Sequence, residues 1–283
     1  MLNGCAYILT VDVGNTFIRF GLFAEDSAAA QGCPLETCEI TTPSSITADE
    51  ARMRLAQVMG ALAADAGMPG ALVPAAAVLS CVVPALERPW KAALSRTCTG
   101  RVLTVGPGLK TGMPVHYDDP AEIGPDRIAD AVAARAVYGS PCIVIDLGTT
   151  TNIEVIDARG TFVGGVIAPG LALGARSLSA AAARLPQVEP SAPTHVIGRN
   201  TREAMRSGVV LGEVARIDGM LDMVLAEMRA TKAAGEGDVP IVITGDDAEA
   251  LASLVGHSLT VDDALTLRGL AELYHINQKP RRA

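Results

Sequence analysis

The sequence predicts an α/β protein made of two similar halves, and three observations carry that expectation. A short apolar strand ending in a carboxylate, followed by x-Gly-[Asn/Thr]-Thr and a second apolar strand, occurs twice. The first copy is Val11 to Phe23 (VDVGNTFIRFGLF) and the second, about half a chain later, is Asp146 to Asp157 (DLGTTTNIEVID). Apolar runs of strand length alternate with segments of helical spacing, which is the pattern of mixed α/β layers. Finally, 283 residues with 49% hydrophobic content can fill two cores of ordinary domain size.

In chain order, Ile8 to Val11 and Ile18 to Phe23 flank the first polar turn and read as a β-hairpin. Thr47 to Ala66 has helical apolar spacing (Met53, Leu55, Ala56, Met59, Leu62, Ala63); Thr47 with Glu50 forms a capping box at its start, and Gly67 to Gly70 ends it. Ala75 to Val83 is a buried strand closed by Pro84, Leu86 to Arg96 a short helix and Val102 to Val105 a further strand. A loop rich in Gly and Pro, Gly106 to Gly124, leads into a helix at Asp126 to Tyr138. The boundary between halves is expected near Gly139 to Pro141, giving domains at 1–139 and 140–283. Cys142 to Ile145 and Ile153 to Ile156 flank the second turn. A third strand (Thr161 to Ile167), helices at Leu171 to Ala183 and Asn200 to Met228, a strand at Val239 to Thr244 and a closing helix at Leu267 to His275 follow.

Composition excludes several functions. A net charge of −8 argues against a nucleic-acid backbone or an anionic membrane as the main partner. Cys5, Cys33, Cys38, Cys81, Cys98 and Cys142 are scattered without C-x-x-C or Cys/His clustering, so neither a zinc site nor a disulfide framework is expected. No apolar run reaches the roughly 20 residues of a membrane span, and the N-terminus enters a strand instead of a signal peptide; a cytoplasmic protein is expected.

The repeated turn carries the chemistry. A glycine there lets backbone approach a ligand closely, so that exposed N–H groups and Thr or Asn side chains can bond phosphate oxygens. The aspartate beside it is suited to a hydrated Mg²⁺ that bridges the same oxygens. One such turn is no more than an Asp-cornered hairpin; two copies point to one nucleotide site shared by two halves. Its expected nucleotide-binding residues are Asp12, Val13, Gly14, Asn15 and Thr16 from the first copy and Gly148, Thr149 and Thr150 from the second, with Asp12 and Asp146 as the metal residues.

With these motifs in view, the chain resembles the type III pantothenate kinases, members of the acetate and sugar kinase, Hsp70 and actin superfamily. The resemblance rests on DVGNT at 12–16, the strand end Ser80 to Pro84, HYDDP at 116–120, G-x-D-R at 124–127 and D-x-G-T at 146–149. It continues through GGVIAPG at 164–170, LP at 185–186, NTREAMRSG at 200–208, TG at 244–245 and LTLRGL at 265–270. The resemblance implies two ribonuclease-H-like domains with the active site in the cleft between them. It further implies ATP-dependent phosphorylation of the primary hydroxyl of pantothenate, the first step toward coenzyme A, in a homodimer that needs Mg²⁺ and a monovalent cation such as K⁺ or NH₄⁺.

Residue by residue, the resemblance makes Asp126 the general base. Standing at a helix start, its carboxylate is expected to be held ionised with a low pKa, or else to serve as a helix cap. Arg127 is suited to paired hydrogen bonds with a carboxylate or phosphate, a surface ion pair being its other role. Tyr117, Gly124, Pro125, Asp126, Arg127 and Thr201 are the expected substrate residues. His116 either lines the same pocket or packs the loop; Asn200 either joins Thr201 at the substrate or caps its helix. Gly164, Gly165, Pro169 and Gly170 are expected to shape the backbone at the second turn.

Departures from the family pattern fall on the nucleotide surface. Thr150, Asn152 and Glu154 replace an Ala, a Thr and an Asp of the usual second loop, and Asp246 stands where a second glycine is expected. Phe17 and Asp130 each stand where Asn is common. The sequence alone therefore leaves three readings: a pantothenate kinase, a paralogue phosphorylating another small hydroxylated carboxylate, and a non-catalytic regulator on the same fold.

Overall fold

The computed structural model describes residues 6–25, 32–68 and 72–278. In chain order its elements are β1 (Tyr7–Val13), β2 (Phe17–Ala24), β3 (Glu36–Thr41), α1 (Ala48–Asp65), β4 (Ala76–Cys81), α2 (Pro84–Thr97), β5 (Val102–Thr104) and α3 (Pro125–Tyr138). These are followed by β6 (Cys142–Leu147), β7 (Thr150–Ile156), β8 (Phe162–Pro169), α4 (Leu171–Ala181), α5 (Thr201–Arg206), α6 (Gly212–Ala230), β9 (Ile241–Gly245), α7 (Ala248–Ala252), β10 (Thr260–Val261) and α8 (Leu265–Ile276). They form two compact units, one of Met1–Val137 with Ala264–Ala283, the other Tyr138–Asp263.

Each unit holds a five-stranded mixed sheet, and the strand orders match: β3-β2-β1-β4-β5 in the first and β8-β7-β6-β9-β10 in the second. In both, three strands run as an antiparallel meander and the last two join in parallel. The duplicated hairpin of the sequence is thus the centre of a duplicated sheet. The two mixed-sheet α/β domains read from the sequence are present. The closing helix differs, however: α8, expected with the second half, packs in the first unit. It does so because Gly269 has no side chain. A Cβ there would lie 1.9 Å from the Ala129 carbonyl oxygen of α3, and on β2 a Cβ at Gly21 would meet Thr10, Phe23 and Leu267.

In the first unit, α1 and α2 cover one sheet face. Leu9, Val11, Val13, Phe20, Ala77 and Leu79 from the sheet meet Leu55, Leu62 and Trp90 from the helices, with the Phe20 and Trp90 rings 5.6 Å apart. The alternate residues of β1 and β4, Thr10, Asp12 and Ser80, point to the opposite face. Thr47 caps α1 as expected, accepting from the Glu50 N–H while Glu50 accepts from the Thr47 N–H. Gly67, in the left-handed region, ends that helix; Gly70 and Cys5 lie outside the described residues. Cys33, Cys38, Cys81, Cys98 and Cys142 are all free thiols.

In the second unit, Ile143, Ile145, Leu147, Ile153 and Val155 pack on Val214, Ile217, Leu221 and Met228 of α6. The single helix expected over Asn200 to Met228 is interrupted by a π-turn at Ser207–Leu211. Glycines at 208 and 212, poor helix formers, sit in and after it. Three elements escaped sequence reading for physical reasons. The edge strand β3 buries its residues only partly, α7 is about one turn long, and β10 has two residues.

The α3–α8 crossing gives a first testable outcome. Gly269→Ala will lower unfolding free energy in urea on the order of 3 kcal/mol, because backbone and not a flexible side chain must yield. A loss under 1 kcal/mol would mean that the crossing relaxes freely.

Candidate active site

The first polar turn joins β1 to β2. Asp12 is the penultimate residue of β1 and lies in register with Arg19 of β2 and Ser80 of β4. The Gly14 N–H donates to the Phe17 carbonyl (3.0 Å), closing the turn, so this amide is used internally and not offered to a ligand. Thr42, just past β3, braces the turn. Its hydroxyl donates to the Gly14 carbonyl (2.8 Å) and its N–H to the Thr16 carbonyl (2.9 Å). Asn15 and Thr16 are exposed at the tip. The groups this turn exposes are therefore those of its tip residues and not the Gly14 N–H.

Asp12 is buried, and its pKa is raised to about 6. Burial is the main cause and the charge of Asp126 the second, while the neighbouring Ser80 hydroxyl and the Arg19 guanidinium pull the other way. The same coupling places Asp126 close to Asp12 within this unit. Asp126 is the second residue of α3, after Pro125 at the first helical position, where a missing N–H costs nothing. Its Oδ1 accepts from the Arg127 N–H (2.8 Å) and crowds Gly124, where a Cβ would lie 2.4 Å away. The low pKa expected from the helix dipole is overturned. Burial raises it, outweighing the hydrogen bond and charge of Arg127. Asp126 is consequently a better proton acceptor than an ordinary carboxylate.

Arg127 is 5% exposed, so a surface ion pair does not describe it. Beside the start of α3 lies a cavity of about 550 Å³, walled by Cys81, Val105, Met113, Ile123, Pro125 and Ile128 among others. That volume suits a small organic molecule. Tyr117 is half-buried and His116 exposed in the loop before α3. Asn200 is spent on capping, its side chain accepting from the Glu203 N–H (3.0 Å), and Thr201 is exposed at the first position of α5.

The second turn, between β6 and β7, repeats the first. The Gly148 N–H donates to the Thr150 carbonyl (3.0 Å). Two later glycines press on this turn: a Cβ on Gly170 would lie 2.2 Å from the Gly148 carbonyl oxygen, and one on Gly245 2.1 Å from that of Leu147. Gly170 thus shapes the turn as expected, its N–H donating to the Thr149 carbonyl (3.1 Å). Asp146 lies in register with Asn152 on β7 and Thr244 on β9. Asn152 is 5% exposed, with an Oδ1 that has no hydrogen-bond partner. Glu154 is fully buried and registers with Val144, two positions along the strand from the Asp146 row. Asp246 is exposed and its N–H donates to the Leu147 carbonyl (2.8 Å). On the other face of β7, the Thr151 hydroxyl donates to Glu213 (2.6 Å), which also pairs with Arg216, and Arg216 donates to the Pro169 carbonyl (2.6 Å). Sequence reading missed both this brace and Thr42, because neither lies inside a motif.

Gly170→Ala is expected to displace the second turn and weaken nucleotide binding at least tenfold, about 1.4 kcal/mol, with binding of a small molecule in the cavity beside α3 unchanged. Calorimetric titration of each ligand separates the two.

Among the described residues, no three His, Cys, Asp or Glu side chains cluster to cage a metal. The donor set fits Mg²⁺ nonetheless, because that ion is commonly held by one or two carboxylates with phosphate oxygens and water. Asp12, a buried carboxylate whose ionised form is disfavoured by burial and by Asp126, is a carboxylate of that kind. Mutual repulsion between Asp12 and Asp126 favours a cation there.

Two equivalent Asp-Gly turns on duplicated sheets, one of them beside a half-buried carboxylate and a cavity of small-molecule size, define a small-molecule kinase. The type III pantothenate kinase family model matches residues 8–223. Type III pantothenate kinases from Koribacter versatilis (37% identity over 279 residues, 97% of each chain) and Nocardia farcinica (40% over 285 residues, 97% of this chain and 99% of that one) are similar over nearly their whole length. The chain belongs to the type III pantothenate kinase family. Among solved structures, ethanolamine utilization protein EutJ from Carboxydothermus hydrogenoformans shares the fold at TM-score 0.52 and 15% identity, covering 95% of this chain and 89% of that one.

Proposed function

We propose that this protein transfers the γ-phosphoryl group of ATP to the primary hydroxyl of pantothenate, giving 4'-phosphopantothenate and ADP. The observation that carries this reading is the adjacency of Asp126, a half-buried carboxylate with a raised pKa, to Asp12 and the cavity at the start of α3. Pantothenate takes the cavity, with its carboxylate on Arg127 and its hydroxyl on Asp126. Tyr117, Gly124 and Pro125 shape that end of the site and Thr201 supplies a further hydroxyl. As the O–P bond to substrate forms and the bond from the γ-phosphorus to the β-phosphate bridging oxygen breaks, Asp126 accepts the hydroxyl proton. A loose transition state asks little basicity and much positioning, which a carboxylate fixed by the Arg127 N–H provides. Asp12 and Asp146 hold the cations, and Mg²⁺ when bound neutralises charge on the phosphate oxygens. Asn15, Thr16, Thr149 and Thr150 contact those oxygens, with Val13, Gly14 and Gly148 setting the turns.

We further propose a monovalent cation requirement met by K⁺ or NH₄⁺, a homodimer and a cytoplasmic setting. Among the described residues, no helix is long and apolar enough to cross a membrane. Phosphorus NMR of the reaction mixture tests the proposal, with a phosphomonoester on the primary carbon of pantothenate expected and its formation dependent on K⁺ or NH₄⁺. ADP formed with free inorganic phosphate alone would count against it.

A further inference from the structure

In each unit the carboxylate at the end of the first central strand has a hydroxyl residue beside it on the parallel neighbour. Asp12 registers with Ser80 between β1 and β4, and Asp146 with Thr244 between β6 and β9. Residues in parallel register present their side chains on the same face, and here it is the face turned away from the helix-covered core. The adjacent residues Leu79 and Ile243 are the ones that join the cores. Ser80 is 0% and Thr244 2% exposed.

A buried hydroxyl costs free energy unless it finds a partner, and neither Ser80 nor Thr244 lies in the apolar cluster of its unit. Its appearance at the same register in both sheets therefore points to the carboxylates. In the first unit the match is visible atom by atom. Ser80 Oγ and Asp12 Oδ1 are both buried, neither meets a hydrogen-bond partner elsewhere, and the Ser80 hydroxyl is a side chain that pulls the Asp12 carboxyl back toward its ordinary value. One is a donor and the other an acceptor, on adjoining strands. An Asp carboxylate turns easily about its last torsion, which has broad minima; a single O–H donor to one oxygen fixes the plane and leaves the second oxygen aimed.

We infer that Ser80 and Thr244 are positioning residues whose hydroxyls orient the Asp12 and Asp146 carboxylates toward the cations and phosphates of the reaction. The inference rests on the kinase reading above and assigns a role to two residues outside the turns themselves. Groups that hydrogen-bond a metal ligand typically change metal affinity 10–100-fold when removed.

The test compares Ser80→Ala, Ser80→Cys and Ser80→Thr, with Thr244→Val and Thr244→Ser as the matching pair. Binding of Mn²⁺–ATP to each full-length protein is followed by water-proton relaxation, and the Mg²⁺ half-saturation and pantothenate KM are measured where turnover occurs. Ser80→Ala and Thr244→Val should weaken Mn²⁺–ATP about tenfold and raise the Mg²⁺ half-saturation in step, with pantothenate KM within twofold of the parent protein. Ser80→Thr and Thr244→Ser, which keep the hydroxyl, should stay near the parent; Ser80→Cys, of similar size with a weak donor, should follow alanine. Mn²⁺–ATP binding unchanged in Ser80→Ala, or lost equally in Ser80→Thr, would overturn the inference. If the parent protein binds Mn²⁺–ATP but never phosphorylates pantothenate, the kinase reading fails while the Mn²⁺ comparison still decides the role of Ser80.

Discussion

Asp126→Asn will lower the rate of pantothenate phosphorylation by roughly 10³-fold, within the range by which a positioned base accelerates proton transfer, and will leave ATP binding intact. Asparagine keeps the shape and still accepts from the Arg127 N–H, but it cannot take the proton of the hydroxyl. The fold should not suffer. Burial already penalises the Asp126 charge, so a neutral side chain of equal size removes an unfavourable term. The measurement is steady-state turnover alongside ATP titration calorimetry. A variant retaining a tenth or more of parental activity would show that the transition state needs no base at this position and would leave Asp126 only its helix-terminal role.

Asp12→Asn has the second large effect, and it runs in opposite directions for activity and stability. Turnover should fall by at least 10²-fold through loss of cation binding, an effect of about 3 kcal/mol on the barrier. The ligand-free protein should become more stable. Asp12 has a folded-state pKa of about 6 against an ordinary value of 3.8, so the native state binds its proton more tightly than the unfolded chain. Below about pH 3 both states are protonated and the residue costs nothing. As pH rises toward 6 the unfolded state ionises first, and the penalty grows to roughly 3 kcal/mol and then stays constant. Urea unfolding of parent and variant at pH 3 and pH 7, without nucleotide or Mg²⁺, should therefore agree at the lower pH and diverge at the higher one, with Asp12→Asn ahead. A variant less stable than the parent at pH 7 would mean that the carboxylate holds the ligand-free fold together.

Much of this was legible in the chain because the informative signals are local. The hairpins around Asp12 and Asp146 announce themselves by apolar strands flanking an Asp-x-Gly-x-Thr turn, and the Thr47 to Glu50 capping box by spacing alone. What escaped the sequence is set by distance. That α8 closes the first unit depends on Gly269 meeting Ala129, a contact 140 positions apart in the numbering that periodicity does not encode. The raised pKa of Asp126 depends on burial that the helix-start position does not reveal. The brace at Thr42 and the hydroxyl partners Ser80 and Thr244 become visible only once register pairs the strands. The altered positions 152 and 154 likewise separate only by register: Asn152 sits opposite Asp146, whereas Glu154 is buried further along the strand.

The central claim, that a half-buried base beside a cation-binding carboxylate promotes the phosphorylation of pantothenate, is tested most directly by the rate of ADP release. The assay holds ATP, Mg²⁺ and K⁺ with and without pantothenate. The account predicts release that requires pantothenate, matches phosphopantothenate formation one to one, and vanishes in Asp126→Asn. Release at the same rate without pantothenate, or none under any common monovalent cation while another hydroxylated carboxylate is phosphorylated, would contradict it.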